Sequence, residues 1–388
     1  MDQPSLRLTG GRVLGPQRLQ TQDLVISGGR FAAPEAEAGR SLAVDGLWLL
    51  PGIIDLHGDA FERALAPRRG VITNLSRGLL AVETDLAAAG ITTAWLAQFW
   101  SWEGGMRAPE FARRLAAALR DVKLALRVDM RLQLRLERTM IDDLDAVAAF
   151  VRAEGIDYVV FNDHIPHDRL AEGRTPPRLS GSAAKAGRAP EAHLALMRSL
   201  SDRAHEVPPA VDALARKLRA EGVRLGAHDD VDRDARLLWG DMGLAIAEFP
   251  VTRPAAEAAR ARKEPVIMGA PNIVRGGSHK RGGMSAEALV TSGLVDALAS
   301  DYHYPALSEA AFALVDRGRL SLPVAWGLVS AAPARIMGLT DRGRIEPGLR
   351  ADLIVFDPDA RRILGTFVGG RPVVLQGRLA DALVEAHR

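Results

Sequence analysis

Short apolar runs alternate with amphipathic stretches through the middle of the chain. We predict eight strands from these runs, at residues 53–57, 92–98, 131–137, 158–164, 224–230, 244–250, 265–271 and 297–303. Helical periodicity lies between them, as in residues 108–123, 141–155 and 208–222. Eight strands with intervening helices predict an α/β fold of the (β/α)8 TIM-barrel type.

The two ends of the chain have a different pattern. SLRLTGGRVLG near the start and GTFVGGRPVVLQGR near the end are short apolar runs that break at Gly pairs, which is typical of strands and turns. We therefore predict one small β-sandwich domain from residues 1–52 and 345–388, and a barrel over 53–344. Residues 165–205 are long and polar, and we predict an insertion with some helix over the barrel mouth.

Composition narrows the function classes. Lys and Arg number 50 against 48 Asp and Glu, so the net charge of +2 gives no field that favours nucleic acid. The chain has no cysteine, so a metal would need His, Asp, Glu or a modified Lys. The start has no signal-peptide pattern, and no stretch approaches the roughly 20 apolar residues of a membrane span. We expect a cytoplasmic protein without membrane or nucleic-acid partners; a homo-oligomer stays open.

Polar side chains follow the predicted barrel strands at their carboxyl ends, where barrel active sites are built. The candidate metal ligands are His57, Asp59, Glu137, His164, His228 and Asp301. One such residue alone is more often a helix cap or a core hydrogen-bonding group, but that explanation would have to hold separately at five strands. Imidazole and carboxylate ligands favour divalent zinc, with manganese or iron(II) as alternatives, and so many ligands favour two ions. Asp301 is the candidate catalytic base.

Two basic segments follow predicted strands, within residues 62–71 and 268–285. Glycines there can turn backbone N–H groups toward an anion, and cationic side chains add charge. The candidate phosphate-binding residues are Arg68, Arg275, Gly276, Gly277, His279 and Lys280. They predict a phosphorylated small-molecule substrate, although a solvated loop has the same composition. The aromatic segment 99–102 either lines the pocket or packs under a helix.

Several segments resemble one known group of enzymes: LPGIIDLHGD, GAHDD, IAEFP, MGAPNIVRGGSH, ASDY and RADLIVFDP. They are similar to the amidohydrolase superfamily and, more narrowly, to the α-D-ribose 1-methylphosphonate 5-triphosphate diphosphatase family. The resemblance implies a metal-dependent barrel with a small β-sandwich from both termini. It also implies hydrolysis of a ribosyl triphosphate, with release of pyrophosphate, in phosphonate catabolism.

The resemblance further implies roles for the candidate ligands. His57 and Asp59 would bind the first metal, and His164 and His228 the second. Glu137 would bridge the two ions, and Asp301 would be both ligand and base. Glu137 falls on the third predicted strand, whereas the common superfamily pattern has its bridging ligand on the fourth. Either a strand has been missed or the bridge is a strand-three glutamate.

Two departures from the family leave the substrate open. The chain reads LHGDAFE after the first strand, and it has tryptophans after the second. One alternative is a divergent amidohydrolase that cleaves an amide, lactone or ester of an anionic small molecule. Another is a non-catalytic protein of a phosphonate-processing assembly, against which the full set of candidate ligands argues.

Overall fold

The computed structural model describes residues 5–68, 71–72, 74–277 and 284–385. Strands of the terminal segments are β1 Leu6–Thr9, β2 Arg12–Leu14, β3 Leu19–Thr21, β4 Leu24–Ser27, β5 Arg30–Ala32, β6 Arg40–Ala43, β7 Trp48–Pro51, β16 Leu353–Asp357, β17 Arg362–Val368 and β18 Arg371–Leu375. Those of the middle are β8 Ile53–Gly58, β9 Ile91–Trp100, β10 Asp129–Glu137, β11 Tyr158–Asn162, β12 Arg224–His228, β13 Ile246–Glu248, β14 Val266–Gly269 and β15 Ala297–Ala299.

The helices are α1 Phe61–Leu65, α2 Leu75–Ala88, α3 Pro109–Val122, α4 Leu144–Glu154, α5 His167–Ala171, α6 Leu179–Lys185, α7 Pro190–Asp202, α8 Val207–Ala220, α9 Arg233–Asp241, α10 Arg253–Ala261, α11 Ala270–Arg275, α12 Ala286–Thr291, α13 Ala306–Asp316, α14 Leu322–Gly327, α15 Ala331–Ile336 and α16 Arg378–Glu385. Of the helices in these described ranges, none is both long and apolar enough to cross a membrane.

Strands β8 to β15 form one parallel sheet in chain order, with helices between them. The backbone N–H of Asp301 donates to the carbonyl of His57 at 2.9 Å, and that of Asp59 donates to the carbonyl of Asp301 at 2.8 Å, which joins the last strand to the first. The predicted (β/α)8 barrel and its eight strands are confirmed. Since Glu137 ends the third strand, no strand was missed before it.

Two further sheets form a separate β domain. One has the order β5-β4-β1-β6, and the other, β18-β17-β16-β7-β2-β3, combines strands from both ends of the chain. Leu8 and Phe31 of the first sheet share a core with Leu49, Val355 and Phe367 of the second. Both termini therefore build the predicted β domain, while its boundaries at 1–52 and 345–388 stay a prediction.

Residues 165–205 contain α5, α6 and α7. Ile165 and Met197 of this insertion pack with Trp102, which lies in the loop after β9. Arg188 Nη1 donates to the carbonyl of Trp102 at 2.6 Å. The insertion is therefore fixed to the loop at the carboxyl end of the second barrel strand.

Candidate active site

The carboxyl ends of the barrel strands surround a cavity of about 240 Å³. Its polar lining includes Asp59, Arg107, Arg135, His164, His228 and Asp301. The predicted ligands His57 and Glu137 are fully buried and contact groups of this lining. The structure therefore brings all six predicted ligands to one end of the barrel.

Glu248, at the end of β13, fixes the orientation of the His57 ring. Its Oε2 lies 2.7 Å from His57 Nδ1, while Oε1 accepts hydrogen bonds from Gln133 Nε2 at 2.9 Å and Tyr158 Oη at 3.0 Å. Burial alone would raise the pKa of Glu248, but the charge and hydrogen bond of His57 outweigh it and lower that pKa. A carboxylate on one imidazole nitrogen leaves the other as a ligand atom.

His57 Nε2 is that other atom, and it is buried without a hydrogen-bond partner in the described part of the chain. The His228 ring lies 5.3 Å from the His57 ring between centroids. Burial lowers the pKa of His228 to about 4, and the nearby Arg135 cation acts in the same direction. His228 is therefore suited to bind a metal, because the neutral ring is the ligand form, and His57 offers its unpartnered Nε2 as a ligand atom.

Glu137 and Glu103 form a second cluster of polar side chains with His164. Glu137 accepts hydrogen bonds from the backbone N–H of His164 at 3.1 Å and from its Nδ1. Glu103 Oε2 lies 3.7 Å from the same Nδ1. Burial opposes the charged ring, but the hydrogen bond to Glu137 outweighs it and raises the pKa of His164.

These contacts define two candidate metal-binding groups, in each of which the ligand atoms lie within 4.8 Å of one another. The first contains His57, His228 and Glu248, and the second contains Glu103, Glu137 and His164. The unpartnered Nε2 of His57 and the mixture of imidazole and carboxylate donors fit a divalent cation.

Three residues at the cavity adopt the left-handed conformation although they are not glycine. Asp229 has φ 61°, and Phe249 and Asp301 have φ 54°. Each lies within two residues of a strand end, at β12, β13 and β15. Such conformations cost energy and cluster at functional sites, so their presence at three strand ends supports the assignment of this face of the barrel as the functional one.

Comparison with known proteins agrees with the resemblance. The chain is 34% identical over 336 residues to α-D-ribose 1-methylphosphonate 5-triphosphate diphosphatase of Escherichia coli (strain K12), which covers 84% of this chain and 87% of that protein. The chain belongs to this diphosphatase family. That membership confirms the predicted hydrolase class. No protein-family model matches the chain.

Solved structures of the amidohydrolase fold resemble this member of the diphosphatase family over most of its length. A putative prolidase from Bifidobacterium longum superposes with TM-score 0.66 at 15% identity, covering 100% of both chains. An amidohydrolase from a Sargasso Sea sample gives TM-score 0.65 at 17% identity, covering 99% of this chain and 97% of the other. At such identities the likeness shows the fold alone.

The predicted phosphate-binding residues are only partly at the cavity. Arg275 lines it and donates from Nη1 to Tyr302 Oη at 3.0 Å. The backbone N–H groups of Gly276 and Gly277 donate to carbonyls of α11, so in this arrangement they do not face an anion. Arg68 is exposed and is not part of the cavity lining. His279 and Lys280 lie outside the described residues.

The aromatic segment 99–102 was predicted either to line the pocket or to pack under a helix, and its residues differ in this respect. Phe99 lines the cavity, whereas Trp100 and Trp102 are buried away from it. Trp100 Nε1 donates to Asp143 Oδ2 at 2.8 Å, and Trp102 packs on His193 with ring centroids 5.4 Å apart. The tryptophans thus hold the loop in place, and only Phe99 is available to a ligand.

Sequence reasoning missed Glu248, Arg135, Arg107 and Glu103 as site residues. Arg135 had a signal, because residues two apart on a strand point the same way and it lies between Gln133 and Glu137. Glu248 also had one, as the single charge within the short apolar strand β13. The loop residues Arg107 and Glu103 had none.

Proposed function

We propose that the chain hydrolyses α-D-ribose 1-methylphosphonate 5-triphosphate to pyrophosphate and the corresponding 5-phosphate. The observation that carries this is the 34% identity to the Escherichia coli diphosphatase along most of both chains. The arrangement of imidazole, carboxylate and guanidinium groups around one cavity supports it. A phosphorylated substrate suits a cavity whose lining includes three arginines, Arg107, Arg135 and Arg275.

The predicted ligands would hold two divalent ions, zinc first, with manganese or iron as alternatives. They are His57, Asp59, Glu137, His164, His228 and Asp301. When bound, such ions polarise a phosphoryl oxygen and make water a better nucleophile at neutral pH. Glu137 already contacts His164 directly, so its carboxylate would exchange that hydrogen bond for coordination.

Asp301 is the proposed base of the reaction. Its side chain lines the cavity, and its backbone is fixed between His57 and Asp59 by the hydrogen bonds that close the barrel. The carboxylate accepts a proton as water oxygen bonds to phosphorus, and the bridging P–O bond to the leaving group breaks. The same proton then goes to the leaving oxygen, which balances the step.

A turnover assay tests the proposal. Metal-loaded protein is incubated with the ribosyl triphosphate, and phosphorus NMR follows pyrophosphate. We expect Asp301→Asn to lower kcat by roughly 10²–10⁴-fold. Asp316→Asn is the control, because Asp316 forms an exposed ion pair with Arg361 far from the chemistry. Absence of pyrophosphate, together with cleavage of an amide or lactone, would replace this substrate with the alternative class.

The cytoplasmic location and any homo-oligomer remain predictions from the sequence. Size-exclusion chromatography with light scattering measures the second directly. A mass of one chain, 41.7 kDa, would exclude a stable oligomer at the concentration used.

A further inference from the structure

Arg135 is a buried guanidinium with few direct polar contacts. Its side chain is 6% exposed, and among the described residues Asp59 supplies the one carboxylate oxygen within 4.0 Å, at 3.7 Å from Nη1. Its Nε has no hydrogen-bond partner in the same part of the chain. Its Nη2 lies 3.2 Å from Nε2 of His228. Since a buried guanidinium is stable only where anions and hydrogen bonds satisfy it, the unpartnered Nε of Arg135 is a donor that an anionic ligand at the cavity can use.

Arg107 brings a second guanidinium to the same cavity from the loop after β9. Glu103 Oε2 lies 2.7 Å from its Nη1. The loop is fixed from below, since the backbone N–H of Ser101 donates to the Arg107 carbonyl at 2.8 Å. Buried Gln98 donates from Nε2 to the carbonyl of Met106 at 2.9 Å. Arg107 is therefore held in place before any ligand arrives.

Phe99 is the platform that both arginines share. The Cζ atoms of Arg107 and Arg135 each lie 4.1 Å from the centroid of its ring. Stacking on an aromatic ring fixes the plane of a guanidinium and leaves the N–H donors along its edge free. Those donors match the spacing of phosphate oxygens, which a guanidinium binds in pairs.

We propose that Arg135 and Arg107 bind neighbouring phosphoryl groups of the triphosphate. Arg135 lies beside Asp59 and His228, two of the predicted metal ligands, and therefore contacts the phosphoryl group that is attacked. Arg107, which is 36% exposed and further out, contacts the departing pyrophosphate. The identity of the substrate rests on the proposed function, but the binding of a phosphate chain by these arginines does not.

Binding of inorganic tripolyphosphate tests the arginine pair without turnover. Calorimetric titrations compare the full-length protein with Arg107→Met and Arg135→Met. Arg113→Met is the matched control, because Arg113 also stacks on an aromatic ring, 4.7 Å from the centroid of Trp100, but is exposed and outside the cavity. We expect Kd to rise at least about tenfold in each cavity variant and to stay unchanged in the control. Removal of bound metal by tripolyphosphate would affect the control and the cavity variants alike, so the control also corrects for chelation.

Kinetics with the ribosyl triphosphate separate the two arginines. We expect Arg107→Met to raise KM about tenfold and to lower kcat by no more than about tenfold, because charge also develops on the departing pyrophosphate that Arg107 contacts. Arg135→Met should lower kcat by roughly 10²–10³-fold, because its contact strengthens as charge develops at the attacked phosphorus. Arg135→Lys keeps the charge without the paired donors, and we expect it to recover only part of kcat. An arginine that merely balances the charge of Asp59 would be rescued fully by Lys.

The outcomes distinguish this inference from the proposed function. If both variants bind tripolyphosphate more weakly but the wild-type protein does not turn over the ribosyl triphosphate, the arginine pair is supported and the proposed substrate is rejected. If the wild-type protein turns over that substrate but both variants bind tripolyphosphate as tightly as wild type, the proposed role of the arginine pair is overturned. If Arg135→Met does not fold, Arg107→Met decides alone, since Arg107 is partly exposed.

Discussion

Glu248 determines which nitrogen of His57 is left as a ligand atom, because it engages Nδ1 and leaves Nε2. Both of its oxygens accept hydrogen bonds, one from His57 and the other from Gln133 and Tyr158. In Glu248→Gln one of these partners would meet an amide N–H₂ in place of an oxygen. We expect metal affinity to fall about 10–100-fold, as is usual when a hydrogen-bond partner of a histidine ligand is lost. Metal content after dialysis against a chelator, measured by mass spectrometry, checks this.

Glu264→Gln is the matched control for that variant. Glu264 is also a buried carboxylate, but its partners are Arg236 and Arg262, outside the cavity lining. Circular dichroism ensures that both variants are compared at equal folded fraction. Equal metal retention by Glu248→Gln and wild type would show that His57 does not depend on this carboxylate.

The sequence allowed some of these residues to be predicted, for a physical reason. His57 and His228 lie at the carboxyl ends of apolar strands, where a buried polar residue is unfavourable unless it has a partner or a ligand. The roles of Glu248 and Arg135 depend on contacts with residues that are distant in sequence. Glu248 is 191 residues from His57, and Arg135 is 93 residues from His228. Local patterns contain no information on such pairs, and only the closed barrel brings them together.

At the scale of elements, the loop after β9 approaches the backbone of the insertion closely at Gly105. A Cβ at Gly105 would lie 2.7 Å from the carbonyl oxygen of Lys185, at the end of α6. Gly105 also has φ 59°, which favours glycine. We therefore expect Gly105→Ala to move the loop that carries Arg107, raising KM several-fold and lowering the unfolding free energy by about 2–4 kcal/mol.

Gly173→Ala separates the two causes. Gly173 has a similar φ of 69°, but nothing lies within 4 Å of its added Cβ. This variant carries the conformational cost alone, on the order of 1 kcal/mol. Urea unfolding and steady-state kinetics on both variants give the difference that belongs to the close contact. If the two variants behave alike, the contact between loop and insertion has no energetic role.

The regular elements were predictable to different degrees. The barrel strands were found because their apolar runs are short and separated by helical periods. Their ends were less accurate, since β11 to β15 each stop two or more residues before the predicted end. The polar residues at those positions continue along the strand in sequence, but in the structure Asp229 and Asp301 turn away with positive φ. The bend depends on tertiary contacts that no local pattern contains.

At the scale of the whole molecule, one sheet belongs to two cores. Along β16, Val355 faces the core of the β domain, while Ile354 and Phe356 face the helices of the barrel. Phe356 stacks on Phe312 of α13, with ring centroids 4.5 Å apart. Thr366 of β17 donates from Oγ1 to a carbonyl at the end of α2 at 2.7 Å. Because neither core is closed without this sheet, we expect the barrel and the β domain to unfold together.

Phe367→Ala tests that coupling from the side remote from the barrel. Phe367 is 2% exposed in the core of the β domain, so its truncation should cost about 3–5 kcal/mol. Five of the six tryptophans lie between residues 95 and 326, within the predicted barrel, so their fluorescence reports that part. In urea, we expect the fluorescence midpoint and the far-UV circular dichroism midpoint to fall together. A fluorescence midpoint that keeps its wild-type value, while circular dichroism shows an earlier step, would mean that the six-stranded sheet separates from the barrel before the barrel unfolds.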